Sequence, residues 1–584
     1  MEDFPEYMAS QKLFSGEISL RLETLTPLFI GGNGSKTFAP VDTPIIPGST
    51  LRGMFKNIFK IVTCGAFRGR TENQRKGEDF NDEHIYFRCL MGVSKFPWTK
   101  SLNKLYNGRM VDEEHHVKNA RPGFLIRMTD GKYFIAPSIH KHDLKEDRIS
   151  IKEYEQNFGV NIPERNSSCV EWRVVDGEYR AYIITGSQSG KLYTEEEFKK
   201  LPHDIVLKAG KQFIRYTKLS YVDWSCGHWF ELFDDVRTSY EHDRNRRGVD
   251  LFKDKGILKR TELERRVGKI LPDKVKTLIP CHFLVEGGQV TAFGHGQCFR
   301  IPYKKRIGDA VKISGNDSLD FADLVFGTQD LASRVYFEDA APESFEELQT
   351  NRSHPLMQPN PTSYQLYLVQ KDGTELNHWD ALNARLRGYK LYWHNRNVDW
   401  RANDNELNLD RGKSSDMKLT KEMTPLRRGS VFTSKIRFKN LSAIELGALM
   451  MIFDLDGLQT AAYKIGQGKP FGFGSVKISP KLFVEDEAAY SELFDADGWK
   501  NPCREESPDA YLAAFKKYVD DKNLSEVWQT VLNELKEILD WSKAERKNWS
   551  AKVKSMSGDV SQKNGVDERF KQRVPLPSIF QVVK

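Results

Sequence analysis

The sequence predicts an α+β fold built on a ferredoxin-like βαββαβ unit, interrupted by a large central insertion or accompanied by a second degenerate unit of the same kind. Near the start, an alternating strand pattern at 19–25 precedes an amphipathic helix pattern at 49–62. Near the end, a strand at 430–439, a helix at 442–453 and a strand at 475–478 follow one another. With inserted material, this order is the one expected of the βαββαβ motif. A helical C-terminal region completes the prediction.

The N-terminal half of the motif begins with a strand and a turn. Ser19–Leu25 alternates polar and apolar residues and leads into the glycine-rich turn Gly31–Gly34. From Ser49 onward, apolar residues recur at steps of three and four, which predicts a helix with one apolar face. These residues are Leu51, Met54, Phe55, Ile58, Phe59 and Val62.

The C-terminal half begins with the alternating run Ser430–Lys439, whose apolar side chains share one face and whose cationic side chains share the other. Ser442 and Glu445 have the spacing of a capping box and predict the start of a helix. Its apolar stripe would consist of Leu446, Leu449, Met450 and Phe453. A glycine loop and the strand Ser475–Ile478 close the motif.

The rest of the chain divides into an insertion and an extension. Two apolar stripes, at 511–519 and 527–539, predict amphipathic helices that pack on their own protein rather than on a partner, and a polar segment near 555–568 follows them. The basic run 244–266 is either a nucleic-acid footprint or a solvated helix face. The predicted boundaries are 1–64 for the N-terminal part of the motif, 65–420 for the insertion or second unit, 421–482 for the C-terminal part and 483–584 for the extension.

Composition indicates where in the cell the protein is located more clearly than what it does. The chain has 584 residues, with 88 Lys and Arg against 81 Asp and Glu, so its net charge of +7 is small for its length. The seven cysteines include no CxxC pair, which argues against a disulfide framework or a zinc ribbon. There is no apolar run long enough to span a bilayer and no apolar leader. We expect a cytoplasmic protein without a membrane partner.

Other familiar sites fit the sequence poorly. A phosphate-binding P-loop needs a glycine immediately before its lysine and another five positions earlier, where this chain has Ser35 and Ile30. The histidine pairs 115–116 and 140–142 have no second cluster, and surface positions are expected for them. Cys226 with His228, and Cys281 with His282, could each form half of a zinc site, but nothing in the sequence pairs them. We therefore assign no metal ligands.

The first candidate site is the start of the predicted helix at 49. Backbone N–H groups at a helix N-terminus can hold a phosphate, and the residues assigned to RNA binding here are Gly48, Ser49, Thr50, Arg52 and Lys56. Asp42 precedes them and could position a ribose hydroxyl or a divalent ion for attack on a phosphodiester. The alternative is that Asp42 only begins a turn before Thr43 and Pro44.

The second candidate site is the glycine loop 466–474. Its glycines allow a polynucleotide backbone to approach, Lys464 and Lys469 supply charge, and Phe471 and Phe473 could present faces to bases. The alternative is a tight connection between a helix and a strand. The residues assigned to RNA binding here are Lys464, Gly466, Gly468, Lys469, Gly472 and Gly474. RNA binding at both motifs requires that folding bring them together.

Ile46–Gly53 and Gly466–Gly474 resemble the paired signature of the RAMP superfamily, the RRM-like RNA-binding proteins of CRISPR effector complexes. Four central stretches strengthen the resemblance to a lineage of long RAMP proteins encoded with type III CRISPR systems, and together they extend it over about residues 17–480. These stretches are Phe293–Tyr303, Asp320–Gly327, Pro361–Tyr367 and Leu386–His394.

The resemblance implies an RRM-like backbone subunit that stacks with sibling RAMP and effector subunits along a guide crRNA. In active members an aspartate in the loop before the helix cuts the target RNA with a divalent metal, for which we expect Mg²⁺, and Asp42 matches it by position. Two alternatives stay open: a non-catalytic cap or adaptor of the same kind of complex, and an endoribonuclease that processes precursor crRNA with a histidine.

Overall fold

Contacts between distant segments divide the chain into two units. The first contains Met1–Arg68, Ile313–Asn360 and Arg387–Lys584, and the second contains Gly69–Lys312 and Pro361–Leu386. The computed structural model describes residues 9–32, 38, 43–67, 69–70, 80–89, 99–110, 119–138, 148–150, 170–175, 178–183, 192–194, 196–197, 200, 213–215, 228–243, 246, 250–252, 258–259, 275–295, 298–311, 319–356, 362–370, 376–408, 419–496, 498–553 and 575–583.

An antiparallel sheet organises the first unit. Its main strands are β1 (Leu13–Thr24), β2 (Val335–Phe337), β3 (Val431–Ser442), β4 (Tyr463–Lys464) and β5 (Ser475–Glu485), in the order β2-β3-β1-β5-β4. A further strand, β6 (Cys503–Glu506), pairs with β5, and Ala341–Ser344 pairs with β3. The first strand of the chain therefore lies between two strands from its last third.

The alternation expected of β3 is confirmed. Phe432, Ile436 and Phe438 are buried, whereas Arg437 and Lys439 are exposed. Because successive side chains of a strand point to opposite faces, this pattern turns one face to the core and leaves the other cationic.

Two helices of the first unit also follow the sequence prediction. Helix α1 (Gly48–Val62) buries Leu51, Phe55 and Phe59. Helix α3 (Ala443–Asp454) starts at a capping box in which Ser442 and Glu445 bond each other's backbone N–H groups. The short helix α2 (Phe321–Phe326) has the same type of cap, formed by Asp320 and Asp323.

Helix α3 buries more than the predicted apolar stripe. Besides the stripe residues Leu446, Leu449 and Met450, the helix buries Gly447, Ala448, Met451 and Ile452. The reason is that a second helix, α4 (Asp509–Asp521), covers its other side: a Cβ built on Gly447 would overlap the carbonyl oxygen of Tyr511. Helices buried on several faces lose one-sided patterning.

The C-terminal helices pack on their own protein, as expected. Helix α4 buries Tyr511 and Phe515, and α5 (Ser525–Leu539) buries Trp528 and Leu532. The indole N–H of Trp528 donates to the carbonyl oxygen of Val62 at 2.9 Å. This bond ties the extension to the end of α1. The polar segment 555–568 lies outside the described residues.

Among its described residues, the second unit has two sheets of more than two strands. One has the order Phe230–Glu231, Tyr133–Pro137, Arg121–Met128, Val275–Glu286 and Leu258–Lys259, with Gln289–Gly294 also paired to Val275–Glu286. The other has the order Leu192–Thr194, Glu178–Ile183, Val170–Val175, Phe213–Arg215 and Arg148–Ser150.

Helices and short strand pairs complete the description. The second unit has helices Thr99–Met110 and Asp234–His242, and it pairs His84–Phe87 with Ile301–Arg306 and Gly69–Arg70 with Phe80–Asn81. The first unit pairs Asn351–Arg352 with Glu422–Met423 and has short helices at Asp404–Asn408, Trp549–Lys552 and Ile579–Val583.

Among the residues that the structure describes, no helix combines the length and the apolar composition that crossing a bilayer requires.

Candidate nucleic-acid interface

The two motifs singled out in the sequence meet in the first unit. Helix α1 and the glycine loop line one cleft with a volume of about 370 Å³. Its lining consists of Ser49, Thr50, Gly53, Met54, Asn57, Ile58, Lys390, Leu391, Tyr392, Lys464, Ile465, Gly466, Lys469 and Leu539. The spatial requirement for RNA binding at both motifs is therefore met, and RNA binding itself stays a prediction.

The first amide of α1 already has a partner. The N–H of Gly48 donates to Oδ1 of Asp339 at 2.7 Å. A Cβ built on Gly48 would overlap the carbonyl oxygen of Phe337, so the glycine permits this close approach. The expectation that Gly48 offers a free N–H to phosphate is wrong. Ser49 is exposed and Thr50 half-buried, and both line the cleft.

Arg52 and Lys56 lie outside the cleft lining. The guanidinium of Arg52 donates to the carbonyl oxygen of Phe326 at 2.6 Å and lies 5.8 Å from the centre of that ring. It thus connects α1 to α2. Lys56 is half-buried on α1. Arg52 has a structural role here, and RNA contact by either residue stays a prediction.

The aromatic residues of the glycine loop anchor it to the protein. Phe471 is 3% exposed and Phe473 0%, and both pack with Phe29, Trp400 and Met423. The expectation that these rings offer faces to bases is wrong because the protein covers them. What the loop presents to the cleft is Gly466 and Lys469.

The loop glycines serve close packing. A Cβ on Gly474 would overlap the carbonyl oxygen of Ile465, and its φ of +70° is one that other residues rarely adopt. Gly468 and Gly472 bound the single 3₁₀ turn Lys469–Phe471. The loop is therefore a tight connection, as the alternative expected, but it joins the paired strands β4 and β5 rather than a helix and a strand.

Lys464 holds the loop from within. Its Nζ lies 2.8 Å from the carbonyl oxygen of Gly472 and 3.0 Å from that of Phe473. Burial, and then the positive charge of Lys469, lowers the pKa of the Lys464 ammonium to about 7. Burial also lowers the pKa of Lys469. A bound phosphate would stabilise the protonated forms of Lys464 and Lys469 and so raise both pKa values.

Sequence reasoning missed part of the cleft. Lys390, Leu391 and Tyr392 line it, and the ammonium of Lys390 lies 4.9 Å from the ring centre of Tyr392. The sequence signal that could have indicated this part of the cleft is Lys390 between the aromatic residues Tyr389 and Tyr392. Leu539, from helix α5, also lines the cleft. The extension therefore contributes directly to this surface.

Two histidines lie beside the loop although neither is near it in sequence. The ring centre of His354 lies 5.8 Å from that of Phe471, and its Nδ1 lies 2.7 Å from a carboxylate oxygen of Glu406. His394 bonds the hydroxyl of Ser475 and the carbonyl oxygen of Ala462. Burial lowers the pKa of His394 to about 3, so this ring is neutral.

The remaining candidates do not form a metal site in the part of the chain that the structure describes. No group of three His, Cys, Asp or Glu side chains is placed to hold an ion there. Cys281 is buried in a strand of the second unit, and burial raises the pKa of its thiol. Asp42, Cys226 and the histidines 115, 116, 140 and 142 lie outside the described residues.

The sequence also matches one protein-family model. A family model described as the RAMP superfamily matches residues 21–200 and 255–477, which is more than half of the sequence. The chain belongs to the RAMP superfamily. The two matched stretches begin in β1 and end in β5, and they include every residue that lines the cleft except Leu539.

Other comparisons add little to this assignment. A search of curated proteins finds no match. The crystal structure of Csm3 from Methanopyrus kandleri aligns with 87% of this RAMP chain and 98% of its own length, at 11% identity and a TM-score of 0.20. At that TM-score, the likeness carries no argument.

Proposed function

We propose that this RAMP protein binds a guide crRNA as a backbone subunit of a type III CRISPR ribonucleoprotein. The observation that carries the proposal is the cleft itself. It brings Lys390, Lys464 and Lys469 together with the start of α1, and the described residues of its lining include no carboxylate. A concave cationic surface of this kind favours a polyanionic strand.

The sheet supports an RRM-like reading of the fold. Strands β1 and β2 are connected through α1 and flank β3, while β3 and β5 are connected through α3 and flank β1. This strand order supports the split βαβ arrangement expected of ferredoxin-like and RRM-like units. The proposed guide path lies beside α1 and the glycine loop.

The test is RNA affinity as a function of salt. Full-length protein would be titrated against a labelled single-stranded CRISPR repeat RNA, and the triple variant Lys390→Gln, Lys464→Gln and Lys469→Gln compared with the single variant Lys477→Gln on β5. For a single strand, log K falls as log salt rises, and each phosphate contact adds about 0.7 to the steepness of this line. We expect the triple variant to lower the slope by roughly 1 to 2, because Lys464, with a pKa of about 7, carries only part of a charge at neutral pH, and we expect the control to leave the slope unchanged. Equal slopes for the wild type and the triple variant would contradict RNA binding in the cleft.

Target-RNA cleavage is a separate part of the proposal and depends on Asp42. The cleft lining supplies ammonium groups rather than carboxylates among its described residues, so a Mg²⁺ ion would depend on Asp42 and on the RNA phosphates. In the assembled complex, Asp42→Ala should abolish cleavage of a complementary RNA and leave guide binding intact. Unchanged cleavage would remove Asp42 from the site.

The two alternatives have distinct outcomes. For an adaptor, the assembled complex would show no cross-link from Lys464 or Lys469 to RNA. For processing of precursor crRNA, the observation in favour is His354, which lies against the glycine loop with Glu406 at its Nδ1. Cleavage of a repeat RNA by the isolated protein, lost in His354→Ala, would establish that activity.

A further inference from the structure

A short hairpin projects aromatic side chains after β5, beyond the region that matches the family. Its strands are Phe494–Asp495 and Gly498–Trp499, and Phe494 pairs directly with Trp499 across the hairpin. Phe494 is 74% exposed, Trp499 64% and nearby Tyr490 47%. Large aromatic side chains exposed side by side commonly mark a contact surface.

The segment around these rings is strongly acidic. Residues 485–509 contain nine acidic and two basic residues. Of the two basic residues, Arg504 pairs with Asp486 at 2.8 Å. Glu487 and Glu492 are exposed in the same stretch. Glu505 also pairs with Lys481, so two of the nine carboxylates have a cationic partner. The segment that carries the aromatic rings still has an excess of negative charge, unlike the cleft.

This charge decides among the classes of partner. An RNA backbone or an anionic membrane surface would be repelled by the excess of carboxylates. A second copy joined by the same patch would face like charge with like charge, because a two-fold interface is self-complementary. A protein surface rich in Arg and Lys would match both the exposed aromatic rings and the carboxylates. Guanidinium and ammonium groups pair with carboxylates and lie over aromatic faces.

We propose that the hairpin 494–499 is a docking site for a different protein that presents a basic surface. Phe494 and Trp499 form the apolar centre of the contact, and the carboxylates of Glu487 and Glu492 form part of its charged rim. This site does not depend on RNA binding in the cleft, and the two can be tested separately.

Site-specific photo-cross-linking tests the proposal in the native assembly. Full-length protein with p-benzoylphenylalanine in place of Trp499 would be produced in its own cells, irradiated, purified and analysed by mass spectrometry. A matched control places the same group at Val527, which is 60% exposed on α5 of the same unit. We expect position 499 to capture one defined peptide of another protein, rich in Lys and Arg, which position 527 does not capture.

Two further variants identify the cause of the contact. Phe494→Ser should reduce the cross-link at least tenfold, as expected when a central aromatic anchor is lost. Glu487→Lys with Glu492→Lys should reduce it similarly and abolish its sensitivity to salt. Because these side chains are exposed, the thermal midpoint should stay within about 2 °C of wild type.

Each remaining outcome overturns the proposal. Capture of RNA, of a second copy of this chain or of an acidic peptide would contradict the basic protein partner. The same holds for a yield at 499 no higher than at 527, or for a cross-link that survives both sets of substitutions.

Discussion

The amide nitrogen of Gly48 lies 2.7 Å from Oδ1 of Asp339. The carboxylate occupies the helix terminus that the sequence assigns to an RNA phosphate, so RNA would compete with it. Asp339→Asn should therefore raise RNA affinity about two- to fivefold at low salt, corresponding to the roughly 0.3–1 kcal/mol that one charge contributes at a helix end. Fluorescence anisotropy with a repeat RNA measures this change.

The matched control is Asp521→Asn, which removes an exposed carboxylate at the end of α4. It should leave RNA affinity unchanged. If Asp339→Asn weakened binding or had no effect, RNA would not reach the start of α1.

Gly474 and Gly53 should respond in opposite directions to the same substitution. Gly474→Ala introduces a Cβ that overlaps the carbonyl oxygen of Ile465 at positive φ, and we expect it to cost about 3 kcal/mol or more of unfolding free energy. Gly53→Ala meets nothing within 4 Å on α1 and should stabilise the protein by about 0.5–1 kcal/mol. Urea unfolding separates them, and similar midpoints would contradict the packing of the loop.

The buried ion pair between Arg334 and Glu445 should matter far more than an exposed one. Glu445 is 0% exposed and also caps α3, and Arg334 Nη1 lies 3.0 Å from its Oε2. Arg334→Met would leave this carboxylate buried without its guanidinium, at a cost of about 3–5 kcal/mol. The exposed pair Arg437–Glu338 provides the control, since Arg437→Met should cost about 1 kcal/mol or less. Equal losses in unfolding free energy would refute the distinction.

The amine of Lys464 should make both stability and RNA affinity depend on pH. Its pKa of about 7 in the folded state lies below the value of about 10.4 in an unfolded chain, so stability rises with pH between these values. A phosphate binds the protonated form better, so RNA affinity should fall between pH 6 and pH 8, by at most about tenfold per pH unit.

The charged group that shifts this pKa is Lys469, and His394 beside it is neutral in this range. Lys464→Met should flatten both pH profiles, measured by thermal unfolding and anisotropy, whereas Lys477→Met should not. A wild-type affinity independent of pH would contradict titration of Lys464 in the RNA site.

Helices and strands could be predicted from local sequence patterns. The surroundings of the candidate site residues could not, because they depend on residues far away in the sequence. The alternation in 430–439 and the capping box at Ser442 depend on neighbouring residues, and both are confirmed. The state of the Gly48 amide depends on Asp339, which is 291 residues away in sequence. Likewise, the sequence predicts exposed rings for Phe471 and Phe473, whereas in the structure Trp400 and Phe29 pack against them. Spacing within a motif cannot reveal such partners.

The central position of β1 has a consequence for synthesis. Glu17 in this strand pairs with Lys435, 418 residues later, and both neighbouring strands come from the last third of the chain. At about 5–20 residues per second, a ribosome needs roughly 20–80 s to supply the first of them. The nascent chain therefore carries β1 without its native neighbours for most of translation, a period in which unpaired strand edges favour aggregation.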